Sequence, residues 1–444
     1  MREVKFIDLF AGIGGLRLGF EEAFKKAGFD TKCVMTSEIK AHALNVLHHN
    51  FSHDYFVGDI TKVKNHEIPD FDFLLGGFPC QPFSAGGKRQ GFVDTRGTLF
   101  FEIERILENK KPYGFILENV EGLVKHDLEN KGDEFGRTLN VIISKLRGLG
   151  YKVTTKVLNS ADFGLPQARK RIFIVGTLDE HVDLNHFDTK RSTISSILET
   201  GLPTIDSKFI KLLLKHFSLS DLYGKSIKDK RGGDNNIHSW DIELKGPVTK
   251  EQAGLLNRLF KERRKKHWAK EIGIDWMDGM PLTLNQIKTF YDKPNLEEML
   301  DDLVSKKYLK FEHPKSLVTE QTLLGVKTYR LENKRLSPGY NIVSGKLSYE
   351  VNKILDPNGI APTLVATDMA RLVVPDGTGL RSMTLREGLR LFGFPEWFQM
   401  PVSPEDGFDL LGNTVAVNVV TAVAEKITPF FVPSQVEQSE QIAC

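Results

Sequence analysis

One of the three cysteines stands between two prolines in Phe78-Pro79-Cys80-Gln81-Pro82-Phe83-Ser84, directly after the strand-like run FDFLLGG. Each proline fixes its own backbone and drives the residue before it out of the helical region, so Phe78 and Gln81 are extended and the thiol of Cys80 is held rigidly. A rigid thiol suits a nucleophile, while a buried cysteine packing as a small hydrophobe is the bland alternative. Downstream, Gly86, Gly87, Lys88, Arg89 and Gly91 form a glycine-rich basic stretch suited to close over phosphates. The run YGFILE ends in Glu118-Asn119-Val120, a carboxylate between apolar residues, where burial raises the pKa towards that of a general acid; a capping glutamate is the other reading. In QARKRIFIVG, Arg169 and Arg171 alternate and point the same way along an extended chain, as substrate-facing cations or as a solvated edge.

A second constellation lies nearer the start. The strand-like VKFIDLF runs into Ala11-Gly12-Ile13-Gly14-Gly15-Leu16, a glycine turn that opens a helix and lets backbone approach a ligand closely. Arg17 stands where the third glycine of a dinucleotide fingerprint would fall, which disfavours a nicotinamide enzyme. Glu38 ends the second strand at the place from which a carboxylate meets ribose hydroxyls, and Asp59 ends the third near an adenine. Three strand ends then converge on one adenosine; taken alone, the same residues also fit a tight turn with two capping carboxylates.

The elements that must position these groups follow from the rhythm of the chain. From residue 4 to about 177, short β-branched and aromatic runs alternate with helix-period segments, which predicts an α/β fold with a doubly wound, mostly parallel sheet and ligands at the carboxyl ends of its strands. Between about 180 and 370 the alternation fails, giving a second, smaller domain, with a basic helix expected at 251 to 270 and short strands near 325 to 345. From Thr384 the periodicity returns in TLREGLRLFGFP and in LLGNTVAVNVVTAVAEKI, read as one apolar helix with Gly412-Asn413 at its start that packs back onto the first sheet. The expected boundaries are 1–180, 181–380, 381–432 and a polar tail at 433–444. A length of 444 residues allows two domains, and usage of 40% hydrophobic and 27% charged residues is that of ordinary globular chains. No uninterrupted apolar run suggests a membrane helix, and no amino-terminal signal pattern is visible. Cys33, Cys80 and Cys444 form neither a disulfide framework nor a metal-ligand spacing, so a reducing, cytoplasmic setting without a metal is expected. The net charge of +2 excludes a strongly basic chain, so any contact with a polyanion must be local.

In this order, FIDLFAGIGG, SEIKAHA, GDI, GGFPCQPFS, ILENV, QARKRIFIVG, TLREGLRLFGFP and LLGNTVAVNVV resemble the motifs of the DNA (cytosine-5)-methyltransferase family, of the bacterial restriction-modification type. The resemblance covers residues 4–177 and 380–425, and it implies a Rossmann-like methyltransferase fold whose variable middle region is a target-recognition domain. It implies S-adenosyl-L-methionine as cofactor, with Phe10, Gly12, Gly14 and Gly15 around it, Glu38 on its ribose, Asp59 on its adenine amino group and Asn413 from the returning helix. Cys80 matches the nucleophile that adds to C6 of a flipped cytosine, and Glu118 matches the acid at N3, with Asn119 ordering the loop. Arg169 matches the residue that holds the cytosine O2 edge, and Arg171 supports it. Gln81 and Ser84 match loop residues that grip the DNA, Lys88 and Arg89 lie on the same loop, and Thr363-Leu364 in APTLVATD looks like the recurrent dipeptide of the recognition domain.

The implied partner is double-stranded DNA, with a cognate restriction endonuclease as functional counterpart and a monomeric enzyme. Segment 225–270 has a net charge of +7, thirteen basic against six acidic residues, which reads as a phosphate grip or as a solvated helix face. Arg231, Asn235, Asn236, Gln252 and Asn257 are of the types that pair with base edges in the major groove. Two other readings stay open: methylation of tRNA, for which the long insert is unneeded, and an inert DNA-binding module, against which stands the intact set of Cys80, Glu118, Arg169 and Arg171.

Overall fold

The computed structural model describes residues 2–52, 55–79, 99–130, 132–229, 235–322, 325–343, 349–364, 369 and 371–431. The chain divides into two compact units, one of Met1–Glu199, Asp356–Ala370 and Met383–Cys444, the other of Thr200–Leu355 and Arg371–Ser382.

The first unit is built on seven strands: β1 (Arg2–Leu9), β2 (Phe29–Ser37), β3 (Phe56–Val57), β4 (Phe73–Gly76), β5 (Gly114–Val120), β6 (Lys152–Asn159) and β7 (Lys170–Thr177), in the order β3-β2-β1-β4-β5-β7-β6. The pairs β1–β2, β1–β4, β2–β3 and β4–β5 are parallel, and β7 runs antiparallel to both β5 and β6. Alternation along β1 explains the two layers. Val4 and Phe6 face a core shared with Leu16, Phe20 and Val420, and Ile7 and Leu9 face one shared with Ile103, Leu139 and Ile142. The helices on these faces are α1 (Gly15–Lys26), α3 (Leu99–Lys110) and α4 (Arg137–Gly148), while α2 (Ala41–Asn50) follows β2. A doubly wound sheet results, as the βα rhythm implied.

Reversal of β7 matters for chemistry. In an antiparallel strand the amino end lies at the edge where its parallel neighbours finish, so the arginines that begin β7 meet the glutamate that ends β5: Val120 pairs with Arg171, and Glu118 with Phe173.

Two expectations about the chain's course need correction. The first unit takes in 181–199 and 356–370, which have no βα pattern but are tied to it otherwise. Val182 and Leu184 are buried in its core, Ala168 N–H donates to the Ala361 carbonyl at 2.7 Å, and Ile194 N–H donates to Gly359 at 3.0 Å. The returning segment is also not one helix. Gly412-Asn413 closes a helix spanning Pro404–Asn413, and a separate helix runs Val417–Glu425. The break at 414–416 arises because the carbonyls of Gly412 and Thr414 turn to a buried guanidinium, that of Arg169, instead of continuing the helical ladder. Although Pro404–Phe430 has the length and apolarity of a membrane span, 78% of its most apolar window is buried within the fold. The second of these helices packs closely on α1, where a β-carbon at Gly19 would lie 2.5 Å from Cβ of Val420.

The second unit has two cores of its own. One surrounds a small five-stranded sheet that includes Leu372–Asp376 and Gly379–Ser382, with helix Lys208–His216 on it through Phe209, Ile210 and Leu213. The other gathers helices Lys250–Glu262, Lys266–Glu271 and Leu296–Ser305 around Trp240 and Leu256. The basic helix expected over 251–270 is thus two helices, and the strands expected near 325–345 are half of a hairpin, Lys315–Thr322 with Gly325–Glu332, and a strand Gly339–Ile342.

Candidate active site

The glycine turn after β1 is held in a backbone shape that few residues adopt. Phe10, Gly12 and Gly14 all have positive φ, at 56°, 57° and 84°, so a bulky aromatic sits in the left-handed region immediately before the first glycine. Such strain costs about 1–3 kcal/mol and persists only where the surroundings enforce it. Here they do: Ala11 N–H donates to the Ser37 carbonyl at 3.1 Å, and Gly12 N–H donates to Oε2 of Glu38 at 2.8 Å. Close approach explains the next two glycines, since a β-carbon on Gly14 would lie 2.5 Å from the Phe51 ring and one on Gly15 would lie 2.9 Å from Val415.

Glu38 does more than end a strand. Its Oε1 accepts from the backbone N–H groups of Ile39 and Lys40, each at 2.8 Å, so with Gly12 the carboxylate satisfies three amides and ties β2 to the turn after β1. Its neighbour Ile39, which the sequence reading passed over, is 73% exposed, an apolar surface beside the carboxylate. An exposed isoleucine directly after a strand-ending acid was the signal available. Asp59 caps a short turn, with Oδ1 accepting from Thr61 N–H at 3.1 Å and from the Thr61 hydroxyl at 2.7 Å; these bonds hold its carboxyl below the usual range and leave Oδ2 outward, 3.7 Å from Lys62. Asn413 is exposed at the end of its helix and folds its amide back onto the Asp409 carbonyl at 2.8 Å, while the residues after it pack on Gly15.

At the other constellation, the Arg171 guanidinium Nε lies 2.9 Å from Oε1 of Glu118, both side chains about one-seventh exposed at 14% and 15%. Burial raises the Glu118 carboxyl above its usual value, and the pull of Arg171 and Arg169 in the other direction does not cancel it. Asn119 donates to the Phe78 carbonyl at 3.1 Å, fixing the backbone two residues ahead of Cys80. Cys80, Gln81, Ser84, Lys88 and Arg89 themselves lie outside the described residues.

The two arginines have parted company. Arg169 is 3% exposed and points inward, donating to the carbonyls of Leu364 at 3.1 Å, Gly412 at 3.0 Å and Thr414 at 2.8 Å. Burial and the charge of Arg171 draw it down to about 9, which still leaves it a cation at neutral pH. This buried knot ties the return segment and 356–370 to β7, and it turns Arg169 inward, away from the substrate-facing place expected of it, leaving Arg171 as the arginine that meets Glu118. Thr363 donates its hydroxyl to the Ala168 carbonyl at 2.6 Å, so the dipeptide Thr363-Leu364 meets the arginine motif through two side-chain-to-carbonyl bonds, this one and that of Arg169 to Leu364. Around Arg171 opens a concavity of about 360 Å³ lined by Val120, Glu121, Gly122, Ala168, Lys170 and Thr363.

A model of C-5 cytosine-specific DNA methylases matches residues 4–429. The chain belongs to this family. It is 58% identical over 427 residues to the Type II methyltransferase M.NlaIV of Neisseria lactamica, covering 96% of this chain and 99% of that protein, and 42% identical over 451 residues to M.BanI of Aneurinibacillus aneurinilyticus, covering 96% of each. The solved Entamoeba histolytica methyltransferase EhMeth shares the fold at a TM-score of 0.52 and 16% identity, over 97% of this chain and 99% of that one. The protein is therefore a DNA cytosine-5 methyltransferase with a Rossmann-like methyltransferase fold.

Several base-reading candidates of this methyltransferase are occupied otherwise. Gln252 is buried, closes a capping box with Thr249 and donates to Asp302 at 2.6 Å, and Asn257 accepts from the Trp240 indole at 3.2 Å. Among the cations of 225–270, Arg258 and Lys265 pair with Glu262, Arg264 with Asp278, and buried Arg263 donates to Asn341 at 2.6 Å. These four of that segment's thirteen cations are thus held by partners within the unit, Arg263 alone of them buried. Arg231 lies outside the described residues, and Asn235 is exposed.

Proposed function

We propose that the enzyme methylates C5 of a flipped cytosine in a specific duplex sequence, with S-adenosyl-L-methionine as donor and a covalent bond between Cys80 and C6. The observation that carries the reading is the junction at the sheet edge, where Glu118 and Arg171 meet at 2.9 Å and Asn119 anchors Phe78 just ahead of Cys80.

The cofactor fits the first constellation. The cradle of Gly12, Gly14 and Gly15 has no room for side chains at Gly14 and Gly15, Phe10 is strained in place beside it, Glu38 keeps one lone pair, on Oε2, for a ribose hydroxyl, Oδ2 of Asp59 suits an adenine amino group and Ile39 offers an apolar face. Asn413, at the edge of the same cradle, completes the set. When bound, the sulfonium supplies the methyl group that C5 accepts.

The chain's own residues do the rest. Glu118, kept protonated more readily by its burial, delivers a proton or a short hydrogen bond to N3 as the Cys80 thiolate adds to C6, so the ring electrons move to C5. Arg171, at the mouth of the concavity, holds O2 and steadies Glu118. After methylation a solvent water takes the C5 proton, the C6–S bond breaks, the thiolate departs and N3 returns its proton to Glu118. Gln81, Ser84, Lys88 and Arg89 contact the DNA, and so does Thr363, which is bonded to Ala168 beside the arginine motif. The target cannot react while stacked, so it leaves the duplex. We assign sequence reading to the second unit, and the role of the whole to protection of host DNA in the cytoplasm against a cognate restriction endonuclease, the enzyme acting as a monomer.

Methyl-labelled cofactor offered with duplex DNA or with tRNA tests this. Label in the duplex, at cytosines resistant to deamination when sequenced, is expected; label only in tRNA, or in neither, would overturn it.

A further inference from the structure

β1 carries a residue that the site described above does not use. Asp8 lies two positions before the strained Phe10, on the strand face that otherwise holds Val4 and Phe6, and it is fully buried. Neither of its carboxylate oxygens has a hydrogen-bond donor among the described residues. Burying an ionised carboxylate without a donor costs several kcal/mol or more, whereas the neutral acid costs far less.

The charged groups around it do not supply the missing partner. Arg17, on α1 above, is buried and gives its Nε to Glu21 at 2.8 Å. Glu21 and Glu38 are carboxylates that repel a charge on Asp8, and Cys33, on β2 beside it, directs its thiol at the Thr36 hydroxyl, 3.3 Å away, across a slip in the β1–β2 register between Phe6 and Ile7. An anion at Asp8 would thus be a second carboxylate beside an arginine already engaged by Glu21. It would also repel Glu38, the weakest of these influences, whose three amide bonds hold the glycine turn in shape.

We propose that Asp8 is a positioning residue of the cofactor turn that works as an uncharged carboxylic acid, and that its ionisation sets the alkaline limit of cofactor binding. The inference rests on the reading of the turn as the S-adenosylmethionine site. Burial lifts the carboxyl from 3.8 to about 8, Arg17 alone opposing. The fold therefore keeps a proton that the unfolded chain gives up near pH 4, and the stability due to that proton is lost as pH rises towards about 8.

Asp8→Asn mimics the neutral acid in size and removes the titration. The test compares wild type and this variant from pH 5 to 9.5, in KM for S-adenosylmethionine and in urea midpoint. At pH 7 the two are expected to agree in both kcat and KM. Between pH 7 and pH 9 the wild-type KM rises about tenfold, the change a single group titrating near 8 gives, while that of the variant changes less than twofold. The variant also gains in urea midpoint relative to wild type as pH rises from 5 to 8. Parallel pH profiles for the two proteins, or a folded Asp8→Asn that binds the cofactor tenfold worse at pH 7, would overturn the proposal. The urea comparison needs no cofactor: if neither protein bound S-adenosylmethionine at any pH, the reading of the turn would fail while the midpoints still judged Asp8. Should Asp8→Asn not fold, wild type labelled with side-chain ¹³C aspartate should show the infrared carbonyl band of a protonated aspartic acid at pH 7 that fades above pH 8; its absence would refute the neutral acid.

Discussion

Replacing Arg169 with methionine keeps the length of the side chain and removes every donor, which makes it the sharpest probe of how the site is assembled. Three carbonyls, of Leu364, Gly412 and Thr414, then lose a charged donor at 2.8 to 3.1 Å, in a place only 3% exposed. A hydrogen bond to a charged group contributes about 1.5–3 kcal/mol, and a buried acceptor left unmet costs about 1–3 kcal/mol. Because one guanidinium serves all three, these do not simply add, and the loss expected is roughly 3–5 kcal/mol, within what two or three unmet buried acceptors cost. Chemical denaturation followed by circular dichroism reads the total, and hydrogen exchange at 414–420 reads the locus, since freed carbonyls release the start of the helix Val417–Glu425. Arg171→Met is the control. It removes the group proposed to hold the cytosine O2 and to orient Glu118, so turnover falls by at least tenfold, while Glu118 keeps a proton in place of a buried unpaired charge and the loss of stability is smaller. An Arg169→Met protein within about 1 kcal/mol of wild type that had lost affinity for the target base would refute the assignment, for it would place that guanidinium on the cytosine.

Other consequences are separable. Glu118→Gln lowers kcat by about 100 to 10,000-fold at unchanged cofactor KM, the range for loss of a positioned acid, and wild-type kcat falls as pH rises through the elevated pKa of that carboxyl, a slope to be read in single-turnover assays. Glu38→Ala raises the cofactor KM more than it lowers kcat at saturation, and protease sensitivity of residues 10–16 rises with it, because three backbone amides lose their acceptor. Gly19→Ala puts a β-carbon 2.5 Å from that of Val420, and the overpacking, about 1–3 kcal/mol, outweighs the gain of about 1 kcal/mol in helix propensity, so the melting temperature falls. Exchange of 200–355 with 371–382 for the same unit of a relative with a different target moves the methylated sequence; an active chimera that kept its original site would contradict the recognition role given to that unit.

Local patterns explain what was legible in the chain. The alternation of Val4, Phe6, Ile7 and Leu9 and the glycine turn after them are short-range signals, and they announced the sheet and the strand-end positions of Glu38 and Glu118. Long-range pairings carried no such signal. The inward turn of Arg169 depends on carbonyls that arrive from 195 to 245 residues further along, so sequence spacing could put both arginines on one face but could not say which one the core would take. The same partners break the apolar run LLGNTVAVNVV into two helices, against its local periodicity. Gln252 and Asn257 read as base-edge residues by type and are structural by contact, and the buried isolation of Asp8 shows only once β2 and α1 close over it.

The central claim, that Cys80 attacks C6 of the cytosine being methylated, is tested most directly with DNA in which every cytosine is 5-fluorocytosine, a substrate that needs no knowledge of the target sequence. Fluorine cannot leave C5 as a proton does, so the reaction stops with the C6–S bond intact. Wild-type enzyme with S-adenosylmethionine should yield a complex that survives denaturant and whose DNA-bearing peptide contains Cys80, and Cys80→Ala should yield none while still binding DNA and cofactor. A wild-type preparation that methylates ordinary duplex DNA yet forms no such complex, or forms it equally well without Cys80, would contradict the mechanism.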